Sequence, residues 1–179
     1  MILYTLHNNG YIDFSEKVKL FPKEKFNMYV NFTNRCNCNC TFCLRHLKDD
    51  HKLWLKDGEP SLEEIKQAFL NAPMENVADI VICGVSEPTM RVGDLVKLLT
   101  YIHQTCPKFK VRMNTNGLSD LEYGKKTAML FKGLLNTISI SLNESTSEKY
   151  LEVTRSRFGI KSYKAMLDFA KKKKNYIPN

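Results

Sequence analysis

The chain changes periodicity repeatedly along its length. In FNMYVNF, residues 26 to 32, the apolar Phe26, Met28, Val30 and Phe32 alternate with Asn27, Tyr29 and Asn31. That period of two predicts a strand. ADIVICG, 78–84, is a continuous apolar run rich in β-branched residues and suits a strand buried on both faces. FKVRMNTNG, 109–117, alternates again and ends in a polar turn, and NTISISLNE, 136–144, is a further strand with a polar end. Between these runs the spacing becomes helical. PSLEEIKQAFLNA opens with Ser61 and Glu64 as a reciprocal capping box, and Leu62, Ile65 and Phe69 follow as a stripe. Leu95, Leu98, Leu99 and Ile102 mark a second helix, and a third is predicted over 122–133. Ser145 and Glu148 suggest another capping box before a helix with Tyr150 and Leu151. A last helix, 160–174, places Tyr163, Met166, Leu167 and Ala170 on one side. Residues 1–25, broken by Asn8, Asn9, Gly10 and Pro22, read as a peripheral hairpin or extended arm, and 26–179 as the main unit.

Four strand–helix alternations imply right-handed βαβ units and a parallel sheet, hence an α/β fold. Such sheets bind ligands beyond the carboxyl ends of their strands. The polar motifs all fall there: a cysteine segment after the first strand, GVSEP after the second, NTNG after the third and SLN after the fourth. They are therefore expected to converge on one site.

Composition narrows the picture. At 179 residues, 43% hydrophobic and 26% charged, the chain suits one globular domain. The net charge is +8, but Lys171–Lys174 contribute much of it, and they read as a solvated helix end that complements the negative helix terminus. Charge thus gives nucleic-acid binding only weak support. No apolar stretch approaches the about 20 residues of a membrane span, and MILYTLHNNG lacks the basic start of a signal peptide. A cytoplasmic, reducing setting is expected. Six cysteines there are not a disulfide framework, and clustered ones read as metal-binding or catalytic.

Four of the six lie in NRCNCNCTFC, residues 34–43. Thiolates suit zinc or iron–sulfur clusters. A structural zinc needs four closed ligands, usually as two pairs, and no second pair follows. Cys36, Cys38 and Cys40 alternate direction in an extended chain, so using all four with Cys43 would bend the loop tightly. A three-cysteine set, Cys36, Cys40 and Cys43, closes more easily. On a four-iron cluster it leaves one iron open.

The C-x3-C-x-F-C pattern after the first strand resembles the radical S-adenosylmethionine (SAM) superfamily. Glu87 and Pro88 of GVSEP match that family's Gly-Gly-Glu-like motif after the second strand. TNRC-x-C-x-C-TFC together with CG-x-x-EPT, NTNGL and SISLN is similar to the small TatD-associated radical SAM proteins. The likeness covers roughly 26–177. It implies a partial (β/α) TIM-like barrel, incomplete toward the C-terminus. It also implies a 4Fe-4S cluster on Cys36, Cys40 and Cys43, with SAM chelating the open iron. Glu87 and the main chain at Ser86 would receive the methionine amino group. Asn114, Asn116, Ser141 and Asn143 would contact ribose or carboxylate, Arg155 or Arg157 would pair with the carboxylate, and the backbone at Phe42 would meet adenine. The implied activity is reductive cleavage of SAM to a 5′-deoxyadenosyl radical that abstracts hydrogen from substrate. The implied electron donor is of flavodoxin or ferredoxin type, and the protein would be oxygen-sensitive.

Val85 or Ser86 stands where the family has a second glycine, which alters backbone freedom there. The chain stops just after the helix that would lead to a fifth strand, so a truncated or partner-completed barrel is expected. Cys38 reads as a neighbouring free thiol, Cys83 and Cys106 as core residues, and His46 and His51 as surface groups. Trp54 is expected under the cluster loop. Loops 44–59 and 118–125 are placed to choose a substrate that the sequence does not name. Two other functions fit parts of the pattern: a glycyl-radical-enzyme activase of the same superfamily, and a zinc-stabilised, basic nucleic-acid-binding module.

Overall fold

The computed structural model describes residues 1–47 and 52–177. Its strands are β1 (Leu3–His7), β2 (Gly10–Asp13), β3 (Phe26–Val30), β4 (Val77–Ile82), β5 (Val111–Thr115) and β6 (Thr137–Ile140). They form one sheet in the order β2-β1-β3-β4-β5-β6. β3 to β6 are parallel, as the alternation predicts. β1 is antiparallel to both β3 and β2, so the amino-terminal segment extends the main sheet. Among the described residues the sheet does not close, which gives a partial barrel.

Helices α1 (Phe14–Leu20), α2 (Leu44–Leu47), α3 (Leu62–Leu70), α4 (Val92–Thr105), α5 (Ser119–Tyr123), α6 (Ser147–Thr154) and α7 (Lys161–Lys173) complete the layer. The expected capping box at Ser61 and Glu64 forms in both directions. β4 buries Val77, Ile80, Val81 and Ile82, and α4 buries Leu95, Leu98, Leu99 and Ile102. At about 1.5–3 kcal/mol for each large apolar side chain removed from water, these faces dominate the core. Among the described residues no helix is long and apolar enough to cross a membrane.

Three local readings change. The segment 14–20, expected within a peripheral hairpin or extended arm, is a helix. The Asp13 carboxylate accepts from the amides of Ser15 and Glu16, and Phe14 and Val18 pack into the main core. The continuous helix expected over 122–133 is instead α5 followed by a 3-10 turn at Ala128–Phe131. Gly124 takes a left-handed φ of 62° and ends α5, while Asp120 accepts from the amide and hydroxyl of Thr127 and folds the chain back. Before α6 the cap is Thr146, one residue beyond Ser145. Its hydroxyl accepts from Lys149 N, and the Ser145 carbonyl accepts from Tyr163 Oη. In α7 the fully buried positions are Ser162, Met166 and Phe169, with Tyr163 and Leu167 half-buried beside them.

Candidate active site at the carboxyl ends of the strands

The four polar motifs meet. A cavity of about 330 Å³ is lined by Cys36, Cys38, Cys40, Phe42 and Cys43 from the segment after β3, and by Cys83, Val85, Ser86 and Glu87 after β4. Asn114, Thr115 and Asn116 line it from the end of β5, and Ser141 and Asn143 from beyond β6. It lies where a parallel sheet places ligands.

The cysteine loop has little regular structure of its own and is held by bonds from elsewhere. The amides of Asn39 and Thr41 donate to the carbonyls of Thr154 (3.0 Å) and Val153 (2.9 Å), the last turn of α6. Those carbonyls lack intrahelical partners, so loop and helix end satisfy each other. At the loop's base, Glu59 accepts from Thr33 Oγ1 (2.5 Å), Asn34 N (2.9 Å) and Arg35. On the inner side Asn116 Nδ2 donates to Asn37 Oδ1 (2.6 Å), tying the loop to the turn after β5.

Two glycines permit these approaches. A Cβ on Gly84 would lie 2.2 Å from Asn31 Oδ1. Gly117 has φ +73°, and a Cβ there would lie 3.0 Å from Ile140 and 3.3 Å from Met166. NTNG is thus a turn that needs its glycine and also a wall of the cavity.

Glu87 is 2% exposed, and its carboxylate is engaged on both oxygens. Oε1 accepts from Thr89 N (3.1 Å), Thr89 Oγ1 (2.7 Å) and Thr115 Oγ1 (2.7 Å), and Oε2 accepts from Asn116 N (2.7 Å). Burial pushes its carboxyl above the ordinary range, against the opposing pull of these donors. Only one of the four bonds reaches Oε2, so that oxygen keeps capacity for a further donor.

The thiols are not equivalent. Cys38 is buried; its amide donates to Cys36 Sγ at 3.4 Å and its thiol to Asn37 Oδ1 at 3.9 Å. Interaction with Cys38 lowers the Cys36 and Cys40 thiols, Cys40 to about 7, and pushes Cys38 up. Among the described residues no group of three His, Cys, Asp or Glu side chains converges as a single-ion site. Cys36, Cys40 and Cys43 instead share the rim of one cavity. Buried polar atoms nearby with no partner among the described residues include Asn114 Oδ1, Arg45 Nε and the Tyr150 hydroxyl. A sulfur donor set around a cavity, with polar groups awaiting a ligand, fits an iron–sulfur cluster with a small polar molecule beside it.

The remaining expected residues fall on both sides of that boundary. Arg155 lies outside the cavity lining; it is exposed and ends α6 at φ 46°. Arg157 pairs with Glu122. His46 is exposed and bonds Asn39 Oδ1, whereas His51 lies outside the described residues. Trp54 is 40% exposed and lines a separate cavity of about 600 Å³ with Met1 and Gly58. Sequence reasoning missed two lining residues. Cys83, read as core, borders the cavity and receives a bond from Asn114 Nδ2 at 3.4 Å. Arg45 also borders it, with Nη1 on the Asn34 carbonyl at 3.1 Å and Nε buried without a partner among the described residues. The available signal was adjacency to the cysteine motif for Arg45 and to GVSEP for Cys83.

The radical SAM superfamily model matches residues 30–178, and the chain belongs to that superfamily. It is 27% identical over 143 residues to the GTP 3',8-cyclase of Paenarthrobacter nicotinovorans, covering 79% of this chain and 38% of that protein. It is 31% identical over 131 residues to the 7,8-dihydro-6-hydroxymethylpterin dimethyltransferase of Methanocaldococcus jannaschii, covering 68% and 23%. The probable GTP 3',8-cyclase of Thermococcus kodakarensis is 26% identical over 157 residues, covering 88% and 46%. The chain thus spans less than half the length of these curated relatives. Members of the superfamily are enzymes that use a 4Fe-4S cluster, SAM and a reductant, and this membership decides against the zinc module.

Proposed function

We propose that Cys36, Cys40 and Cys43 hold the 4Fe-4S cluster and that the polar groups around the cavity bind SAM for radical generation on a separate substrate. The single observation that carries this reading is the convergence of the three thiols with Glu87, Asn114, Asn116, Ser141 and Asn143 around one cavity. When bound, the cluster supplies one-electron reductive cleavage of SAM to methionine and a 5′-deoxyadenosyl radical that abstracts hydrogen.

The chain's own groups bind, orient and exclude water. Glu87 Oε2 takes the methionine amino group beside the main chain at Ser86, because its other oxygen is already filled. The orphaned Asn114 Oδ1, with Asn116, Ser141 and Asn143, offers bonds to ribose hydroxyls. Phe42, half-exposed at the rim, meets adenine. Arg45 is the guanidinium at the cavity wall, so it stands ahead of Arg155 as the carboxylate partner. A flavodoxin- or ferredoxin-type donor, a cytoplasmic setting, oxygen sensitivity and kinship with the small TatD-associated members belong to the same reading. So does the division at residues 25 and 26. The matched relatives carry out a cyclisation and a methyl transfer, and the shared stretch supports the common radical step and not either substrate.

The test is anaerobic reconstitution with iron and sulfide, an absorption spectrum, and chromatography for 5′-deoxyadenosine after reduction with SAM. A brown protein that forms 5′-deoxyadenosine supports the reading. A colourless protein that takes up zinc and no iron overturns it.

A further inference from the structure

Tyr150 is the largest fully buried side chain of the molecule's described core, yet its hydroxyl has no hydrogen-bond partner among the described residues. An unpaired buried hydroxyl costs about 1–3 kcal/mol, so its position calls for an acceptor. Its surroundings identify one. Tyr150 packs with Cys38, Leu118 and Met166, and Cys36 and Cys40 pack against the same cluster. It stands on α6, whose last two carbonyls fix the cysteine loop, so ring and loop are held by one helix. A tyrosine phenol is protonated at neutral pH and is therefore a donor. Glu87 is not that acceptor, since its carboxylate bonds run to Thr89, Thr115 and Asn116 and none comes from Tyr150.

We infer that Tyr150 is a positioning residue that donates a hydrogen bond to the sulfur of the cysteine loop, alongside the Cys38 amide, and so raises the reduction potential of the bound cluster. Donors to cluster sulfur stabilise the reduced, more negative state. Cys38 is then a donor through its main chain rather than a ligand, since its amide already reaches Cys36 Sγ at 3.4 Å. Asn116 Nδ2 donates to Cys38 Sγ at 3.6 Å and holds that residue beside the ligands.

The inference rests on the cluster assignment proposed above, and the experiment separates the two. Midpoint potentials are read by EPR-monitored titration on reconstituted wild type, Tyr150→Phe and Cys38→Ala, each with its iron content. Tyr150→Phe should keep the iron but hold about tenfold less reduced cluster at a fixed ambient potential, which is about 59 mV for one electron. Cys38→Ala keeps the amide donor to Cys36 and should hold its potential near that of wild type. Should Tyr150→Phe fail to fold, 3-fluorotyrosine at position 150 keeps the shape and strengthens the donor, so the potential should rise. Normal iron with an unchanged potential in Tyr150→Phe, or in the fluorotyrosine protein where the Phe variant does not fold, overturns the inference and leaves the cluster assignment standing. A wild type that takes up no cluster fails the assignment itself.

Discussion

The cysteine loop and the Glu87 turn sit at equivalent places, just beyond adjacent parallel strands, yet they use their polar groups in opposite ways. The loop spends its backbone amides on distant carbonyls of α6 and leaves its sulfurs at the cavity rim. The turn buries its carboxylate and spends most of its acceptor capacity on Thr89, Thr115 and Asn116. One region is structurally dependent and chemically open; the other is structurally central and nearly closed. Substitutions in the first should abolish ligand binding with little change in fold, and substitutions in the second should damage both.

The sharpest test lies in the loop. Cys36→Ala, Cys40→Ala or Cys43→Ala should each eliminate reconstituted iron, whereas Cys38→Ala should retain it, as iron-to-protein ratios would read. Equal loss in all four variants would make Cys38 a ligand. In the turn, Glu87→Ala leaves buried donors unpaired and should cost about 3 kcal/mol in urea unfolding of the apo protein. The titration of Glu87 has a defined sign. Burial raises its folded-state pKa above the ordinary 4.5, so the folded protein binds the proton more tightly. Stability from this group is then greatest below 4.5 and falls as pH rises from there through the folded value. Glu87→Gln should flatten that slope.

Smaller effects probe the supports. Gly117→Ala meets both a left-handed φ and close neighbours, and should cost about 1–3 kcal/mol. Glu59→Gln loosens the half-exposed base of the cysteine loop and should cost about 1 kcal/mol, measured by thermal unfolding. A Glu59 effect larger than that of Glu87 would reverse the comparison.

These contrasts also explain what the sequence disclosed. The parallel strands and the Ser61–Glu64 cap were legible because alternation and capping act within a few residues. So was the gathering of motifs, which follows from strand direction alone. The α1 helix was not legible, since its seven residues rely on Asp13 and on burial of Phe14 and Val18 in a core assembled from the whole chain. The 122–133 reading failed at Gly124 and Asp120, where a local turn outweighs a modest apolar pattern. Arg45 and Cys83 escaped notice because lining a cavity depends on contacts across the sheet. Arg155 and Arg157 looked equivalent in sequence, but one ends a helix and the other meets Glu122.

The bonds between the cysteine loop and α6 bear on the order of biogenesis. Thr41 and Val153, which bond to each other, are 112 positions apart. During synthesis the thiols leave the ribosome long before the segment that shapes their loop. A nascent chain that has reached only β5 carries the cysteines without their frame, and metal delivered then meets an unformed loop. Productive insertion of the proposed cluster therefore belongs after α6 has emerged, which makes the last third of the chain the gatekeeper of a site encoded in the first.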